Sequence, residues 1–260
     1  MAEGETIERE TADSPVKTIG RAAKILTILA GAEASGMMLT EIARQAEFGK
    51  GTTHRLLAAL VDAGFVFQDT ENRRYRLGVQ LGLFAHRSQA QNLAFLAQPI
   101  LEKLALETGD TAFCSVREGL HAVCIARAIG PFPIRTLTLD IGHRRPLGVG
   151  AGSLALLAAL PPAVIDDMIA KNAAAIAAHP TLAGNALPMM VAEARRYGYA
   201  LNDANIIPGM SAVGYAVRGK DGGPIASLSI ASIRERVQGP RIIELAGLLK
   251  QAATDLAALV

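Results

Sequence analysis

Residues Leu39–Asp62 read LTEIARQAEFGKGTTHRLLAALVD, and this pattern predicts two short helices joined by a turn. At about 100° per residue, Thr53, Leu56, Leu57, Leu60 and Val61 share one side of the second helix. Gly51, Thr52, Arg55, Ala59 and Asp62 share the other. The first group suits burial against a small core. The second offers small residues, a hydroxyl and a guanidinium. Small residues let a helix lie deep in a major groove, while Thr and Arg reach phosphates or base edges. Lys50 stands just before this helix, where its charge meets a phosphate. The preceding helix is expected to start at Thr40 as N-cap and to turn Ile42, Ala43 and Ala46 inward. Gly49 and Gly51 are expected to supply the turn. Taken alone, the stretch also fits an ordinary helical hairpin of a globular domain.

The residues that follow narrow the choice. Gly64 ends the second helix, and FVFQDTENRRYRL comes next. Phe65–Phe67 favour a strand, Asp69–Asn72 a turn and Tyr75–Leu77 a returning strand. A β-hairpin after a two-helix unit makes the winged variant of helix-turn-helix, with Arg73, Arg74 and Arg76 clustered at its tip. Upstream, Thr18 is expected to cap a helix running to about Ala30, with Ala22, Ile25, Leu26 and Leu29 on its inner face.

Charge follows the same division. The whole chain of 260 residues has 26 Lys and Arg against 24 Asp and Glu. Residues 1–14 carry one Arg and five acids, a net of −4. Residues 15–87 carry ten basic residues and six acids, a net of +4, so the folded N-terminal part is the basic one, as nucleic-acid binding requires. The acidic start, MAEGETIERETADSP, lacks the features of a signal or transit peptide and is expected to be disordered. No apolar run reaches the ~18 residues of a membrane span. A cytoplasmic protein is the expectation. Two cysteines, Cys114 and Cys124, fit no zinc spacing and read as small buried hydrophobes on neighbouring strands.

Beyond the wing, residues 78–90 are expected to form a linker helix, and another amphipathic helix follows with Pro99 near its start. From residue 111 the composition turns β-rich. Strands are expected at 111–117, 121–129, 134–139, 199–201, 212–218 and 224–231. Helices are expected at 151–160, 162–170 and 185–197 and from Pro240 onward. The second part thus reads as an antiparallel sheet of five or six strands with helices packed on it, an α+β arrangement.

A ligand position is suggested by RRPLGVGAGS at 144–153. A glycine-rich loop entering a helix offers backbone N–H groups and the positive end of the helix dipole, which suits a carboxylate. Glycines that only allow close helix–sheet packing explain the same residues. His143, Arg144 and Arg145 lie just upstream and can add charge to that position, although a solvated loop suits most of them better. Ser227 and Ser229 alternate with Leu228 and Ile230, so one sheet face shows hydroxyls, lining either a polar pocket or a wet surface. The dinucleotide fingerprint is incomplete, and no P-loop, GxSxG elbow or HExxH occurs. An enzyme is disfavoured. The remaining alternatives are a small-acid-processing enzyme with a DNA-binding appendage and a DNA-binding protein whose second domain only oligomerises.

Assembled in order, LTEIARQAEFGKGTTHRLLAALVDAGFV, RRYRLG, RPLGVGAGSLALLAALP, RRYGYALND and PGMSAVGYAVRGKDGGPIASLSIA resemble the IclR family of bacterial transcription regulators. The resemblance implies a disordered tail (1–14), a winged helix-turn-helix domain (15–77), a linker helix (78–92) and a GAF-like effector domain (93–260). It implies operator DNA and a small organic acid or aromatic catabolite as partners, a homodimer or homotetramer, repression or activation, and no cofactor, metal or catalytic residue. DNA contact falls to Thr40, Lys50, Gly51, Thr52, Thr53, His54, Arg55, Arg73 and Arg74. Effector contact falls to Gly150, Gly152, Ser153, Asn202, Asp203, Met210, Ser211, Ala212, Ser227 and Ser229. Two departures stand out. Many relatives have Pro-Lys-Ser-Thr at Gly49–Thr52, and an acid is frequent where Asn202 stands.

Overall fold

The structure, a computed structural model, describes residues 15–86, 89–135 and 138–260. The expected tail at 1–14 lies outside the described residues. The rest falls into two compact units divided between residues 88 and 89.

The first unit is the helix-turn-helix with its wing. It contains α1 (Pro15–Ala30), α2 (Leu39–Ala46), α3 (Lys50–Asp62), β1 (Val66–Gln68), β2 (Tyr75–Leu77) and α4 (Val79–His86). Ile25 and Leu29 of α1, Ile42 of α2, Leu57 and Leu60 of α3, and Val66 and Tyr75 of the hairpin form one buried cluster. The 3.6-residue period thus places α1, α2 and α3 around a shared core. The wing pairs antiparallel, Val66 with Leu77 and Gln68 with Tyr75.

Three local expectations are corrected. Helix α1 begins at Pro15, so Thr18 lies inside it. Helix α2 begins at Leu39, with Met38 at the N-cap and Thr40 in the first turn. The Met38 N–H donates to Glu41 Oε2 at 2.6 Å, so the carboxylate satisfies that terminus. The turn into α3 is made by Glu47 in the left-handed region at φ 59°, not by the glycines. Gly49 is the N-cap at φ −63° and Gly51 is helical.

The second unit is a six-stranded antiparallel sheet between two helical layers. Its elements are α5 (Gln89–Thr108), β3 (Thr111–Glu118), β4 (His121–Ile129), β5 (Arg144–Pro146), α6 (Ala151–Ala158), α7 (Pro162–Lys171), α8 (Ala173–Ile176), α9 (Ala186–Tyr197), β6 (Ala200–Asp203), β7 (Met210–Arg218), β8 (Pro224–Ile233) and α10 (Pro240–Ala258). The strand order is β5-β4-β3-β8-β7-β6. One face packs on α5 and α10, where Leu101, Leu104, Leu228, Ile230, Leu245 and Leu249 are buried together. On the other side, Leu154, Leu156 and Leu157 of α6 pack with Leu187 and Val191 of α9. Period-two alternation along β8 sends Ala226, Leu228 and Ile230 to the first face and Ser227 and Ser229 to the second.

Here too the structure departs from expectation. The span expected as one linker helix holds α4 and the start of α5, with 87–88 outside the described residues. Pro99 therefore lies inside a twenty-residue helix rather than near its start. No strand forms at 134–135 or 138–139; residues 136–137 lie outside the described residues. The edge strand is β5, where Ala122 pairs with Arg145. Cys114 and Cys124 do lie on neighbouring strands, but a bulge after Cys114 offsets them, and Cys114 pairs with Ala126. Among the described residues no helix is long and apolar enough to cross a membrane. No group of His, Cys, Asp or Glu among them is placed to hold a metal.

Candidate functional site

Two places carry the expected side chains, one in each unit. The first is the outer side of α3. Lys50, Gly51, His54, Arg55, Ala59 and Asp62 are exposed and Thr52 is half-buried. Thr53, Leu57 and Leu60 are buried. Among the described residues no carboxylate pairs with Lys50, Arg55 or Arg73. Their charges therefore face solvent uncompensated, as a phosphate-binding surface needs. Thr40 is exposed in the first turn of α2.

Two members of the expected set are turned elsewhere. Thr53 is 0% exposed, and its hydroxyl donates to Gly49 O at 3.1 Å. It fixes the start of α3 and cannot reach a duplex. Arg74 is half-buried and donates from Nη1 to Gly36 O at 2.7 Å, tying the wing to the loop before α2. Arg73 stays exposed, at φ 58°. The wing turn is held by Asp69, whose carboxylate accepts the Glu71 N–H at 2.9 Å and the Asn72 amide at 3.2 Å. The Glu71 N–H, more than any other group, holds its pKa below the ordinary carboxylate range.

The second place is a cavity of about 60 Å³ between the start of α6 and the sheet. Gly150, the N-cap of α6, has φ 91°, a conformation open to glycine. Gly150, Gly152 and Ser153 form one wall, Met210 and Ala212 of β7 another, and Ser229 of β8 part of the floor. Asn202 of β6 is 7% exposed, and its Oδ1 has no hydrogen-bond partner among the described residues. A buried orphan acceptor costs free energy unless something supplies a proton.

Most of the remaining expected contacts are occupied by the protein itself, while the buried Ser227 Oγ has no hydrogen-bond partner among the described residues. Ser153 borders the cavity, but its Oγ accepts the Gly148 N–H at 3.0 Å and donates to Pro146 O at 3.0 Å. The Ser211 hydroxyl donates to Asp203 Oδ1 at 3.0 Å. Asp203 is exposed, does not line the cavity, and pairs through both oxygens with Arg234 at 2.8 and 3.0 Å. These contacts, that with Arg234 foremost, hold the Asp203 carboxyl below its ordinary pKa. Ser227 is buried beneath α6 and is not part of the cavity wall. A Cβ on Gly152 would sit 3.2 Å from Ser227 Oγ and 3.1 Å from Ser229 Oγ. The serine row and the glycine thus serve close packing as well as the wall.

Of the three residues upstream of the glycine loop, Arg145 is the one that lines the cavity. It donates from Nη2 to Thr138 O at 2.7 Å. Its Nη1 lies 3.1 Å from where a Cβ on Gly150 would stand, so the guanidinium lies at the mouth of α6. Burial lowers its pKa, yet a guanidinium stays protonated, and among the described residues no carboxylate pairs with it. Arg144 points outward to Glu118 at 2.5 Å. The one-in, one-out alternation of a strand separates the two arginines, but three residues, Arg-Arg-Pro, carry no β signal. Phe113 and Ser115 of β3, with Ile206 and Ile207 before β7, complete the wall.

Comparison with known proteins finds two matches in the same order. Residues 18–70 match the family model for the IclR helix-turn-helix domain, and residues 85–258 match that for the bacterial transcriptional regulator IclR C-terminal domain. The chain is 27% identical over 244 residues to the acetate operon repressor of Salmonella typhimurium, covering 93% of this chain and 89% of that one. It is 26% identical over 248 residues to the transcriptional repressor IclR of Escherichia coli, covering 94% and 90%. The fold is similar to the IclR crystal structure from Thermotoga maritima, with a TM-score of 0.67 at 21% identity, covering 94% and 98%. It is also similar to an IclR homolog from Microbacterium hydrocarbonoxydans complexed with 4-hydroxybenzoate, with a TM-score of 0.68 at 22% identity, covering 93% and 99%.

Proposed function

The chain belongs to the IclR family of bacterial transcriptional regulators, and on that premise we propose how its DNA binding is read out and controlled. It is a DNA-binding regulator modulated by a small molecule. In our reading the exposed side of α3 enters the major groove. Thr52 and Arg55 read base edges, while Lys50, Thr40 and Arg73 hold phosphates. The observation that carries this is the division of α3, with Thr53, Leu57 and Leu60 in the core and Lys50, His54 and Arg55 outside. Gly51 leaves room for close approach, since a Cβ there would meet nothing within 4 Å.

The working unit is a homodimer or homotetramer, in the cytoplasm with the chromosome. Two copies of α3 would meet successive major grooves of a pseudo-palindromic site, about one helical turn or a multiple apart. The effector is an organic acid in the cavity beneath α6. Support comes from Arg145, which lines that cavity with no carboxylate partner among the described residues, and from the relative complexed with an aromatic acid. The cavity senses and does not turn its occupant over, in keeping with relatives named repressors and regulators. The effector shifts DNA affinity only through its own difference in affinity for the two arrangements of the dimer.

Selection of bound duplexes from a random pool by the full-length protein, at about physiological salt, tests this reading. Enrichment of a two-fold related motif supports it. Equal retention of all sequences contradicts it.

A further inference from the structure

We propose that a second ligand site lies at the far end of α6, and that it takes a phosphate monoester. A groove of about 610 Å³ opens there between the end of α6, α9 and the β7–β8 hairpin. It shares no lining residue with the cavity at the start of α6, so it stands independently of the effector reading. Arg195 of α9 and Arg218 of β7 line the groove, and both are exposed. Their guanidinium groups converge on one backbone turn. Arg195 donates from Nη1 to Ala158 O at 3.2 Å and to Leu160 O at 3.0 Å. Arg218 donates from Nη1 to Ala159 O at 3.4 Å and to Gly222 O at 2.7 Å.

Capping the end of α6 does not account for both arginines. A helix end carries about half a negative charge, and here two full positive charges meet it. The bonds also use a single nitrogen of each guanidinium. Nε and Nη2 of both arginines are left with no acceptor among the described residues. Neither arginine has a carboxylate partner among those residues. Asp221, the one carboxylate on the groove wall, accepts the Gly223 N–H at 2.9 Å and pairs with neither. Two like charges at one turn repel, and an anion between them turns that cost into attraction. A phosphate monoester brings a dianion and terminal oxygens that match two planar donor forks. Ala155, Pro161, Ala216 and Pro224 give the rest of the groove small, apolar walls, with room for the organic body of the ester.

Calorimetric titration of the full-length protein in phosphate-free buffer tests the assignment, with glycerol 3-phosphate, glucose 6-phosphate, glucose, inorganic phosphate and sulfate as probes. Both esters are expected to bind and glucose is not. The tighter ester should exceed inorganic phosphate and sulfate by at least about tenfold. Arg195→Gln and Arg218→Gln should each weaken the esters by at least about tenfold. Arg218→Lys, which keeps the charge and loses the fork, should weaken them less. Because the Gln variants also remove bonds to the end of α6, Pro161→Glu gives a second readout. Pro161 is exposed on the groove wall, so Glu there leaves both arginines in place and offers them a competing carboxylate. It should weaken the esters while the melting temperature stays unchanged. Equal affinity for sulfate, inorganic phosphate and the esters would mean an adventitious ion only, and overturns the proposal. So does silence of both esters, or ester binding that survives Arg218→Gln or Pro161→Glu unchanged.

Discussion

Gly214→Ala is a direct test of how closely α6 lies on the sheet. Gly214 sits on β7, paired with Ala200 and Ser229. A Cβ added there would lie 2.3 Å from Ala151 O, 2.5 Å from Ala151 C and 2.9 Å from Gly152 N. All three atoms are backbone of the first turn of α6, so no side chain can swing away. Ordinary carbon contacts need about 3.5 Å, so α6 and β7 must part by about 1 Å. Overpacking of this kind costs about 1–3 kcal/mol, and a rigid backbone contact belongs at the upper end. For a unit of this size about 3 kcal/mol corresponds to a fall in Tm of roughly 6–12 °C. Gly247→Ala is the matched control. Gly247 is exposed within α10 and a Cβ there meets nothing within 4 Å, so Ala should stabilise the helix by about 0.5–1 kcal/mol. Differential scanning calorimetry of the full chain should therefore move in opposite directions for the two glycine-to-alanine changes. A Gly214→Ala protein that melts with the wild type would refute the close approach that shapes the cavity wall.

Other consequences follow from burial and pairing. Thr53→Ala should lower stability by about 1 kcal/mol, through loss of the bond to Gly49 O, while leaving DNA sequence preference intact; altered preference in duplex selection would reinstate Thr53 as a contact. Burial pushes the Cys114 thiol up to about 12 and the Cys124 thiol up to about 11, so native protein at pH 8 should resist alkylation and denatured protein should take up two labels. Rapid labelling of the native protein would show that the sheet is open there. Arg234 holds the Asp203 carboxyl below its usual range, so this pair stabilises the fold above the ordinary carboxylate pKa. That stabilisation is lost as pH falls through the depressed folded value. Both side chains are substantially exposed, so the effect is small. The melting difference between wild type and Asp203→Asn should shrink below about pH 4, and a difference that grew with acidification would contradict the assignment.

What the residues disclosed depended on the length over which a pattern ran. The thirteen residues of α3 show enough of a 3.6-residue period to divide a buried from an exposed side, and β8 repeats its two-residue alternation over ten. Short elements hide their partners. Arg145 is not told apart from Arg144 by sequence because β5 has three residues, too few to reveal which of two adjacent arginines turns inward. IRTLTL alternates like a strand yet forms none at its described residues; the edge position went to residues 144–146, which pair with β4. Polar side chains misled in another way. Thr53, Ser153, Asp203 and Ser211 have the right chemistry for contacts, but each spends it on a neighbour. Satisfaction of a hydrogen bond is a property of three-dimensional neighbours and leaves no mark in residue type. Asn202 is placed at the site by the family resemblance alone, and only the fold shows that its Oδ1 has no donor among the described residues.

The central claim is that the exposed side of α3 recognises base sequence. Its most direct test is fluorescence anisotropy of wild type and Arg55→Ala on the selected duplex and on a scrambled one at the same salt. The account predicts that the variant loses about 1–3 kcal/mol on the selected duplex and binds the scrambled one almost as wild type does. Equal affinities of the two proteins for the selected duplex would contradict it.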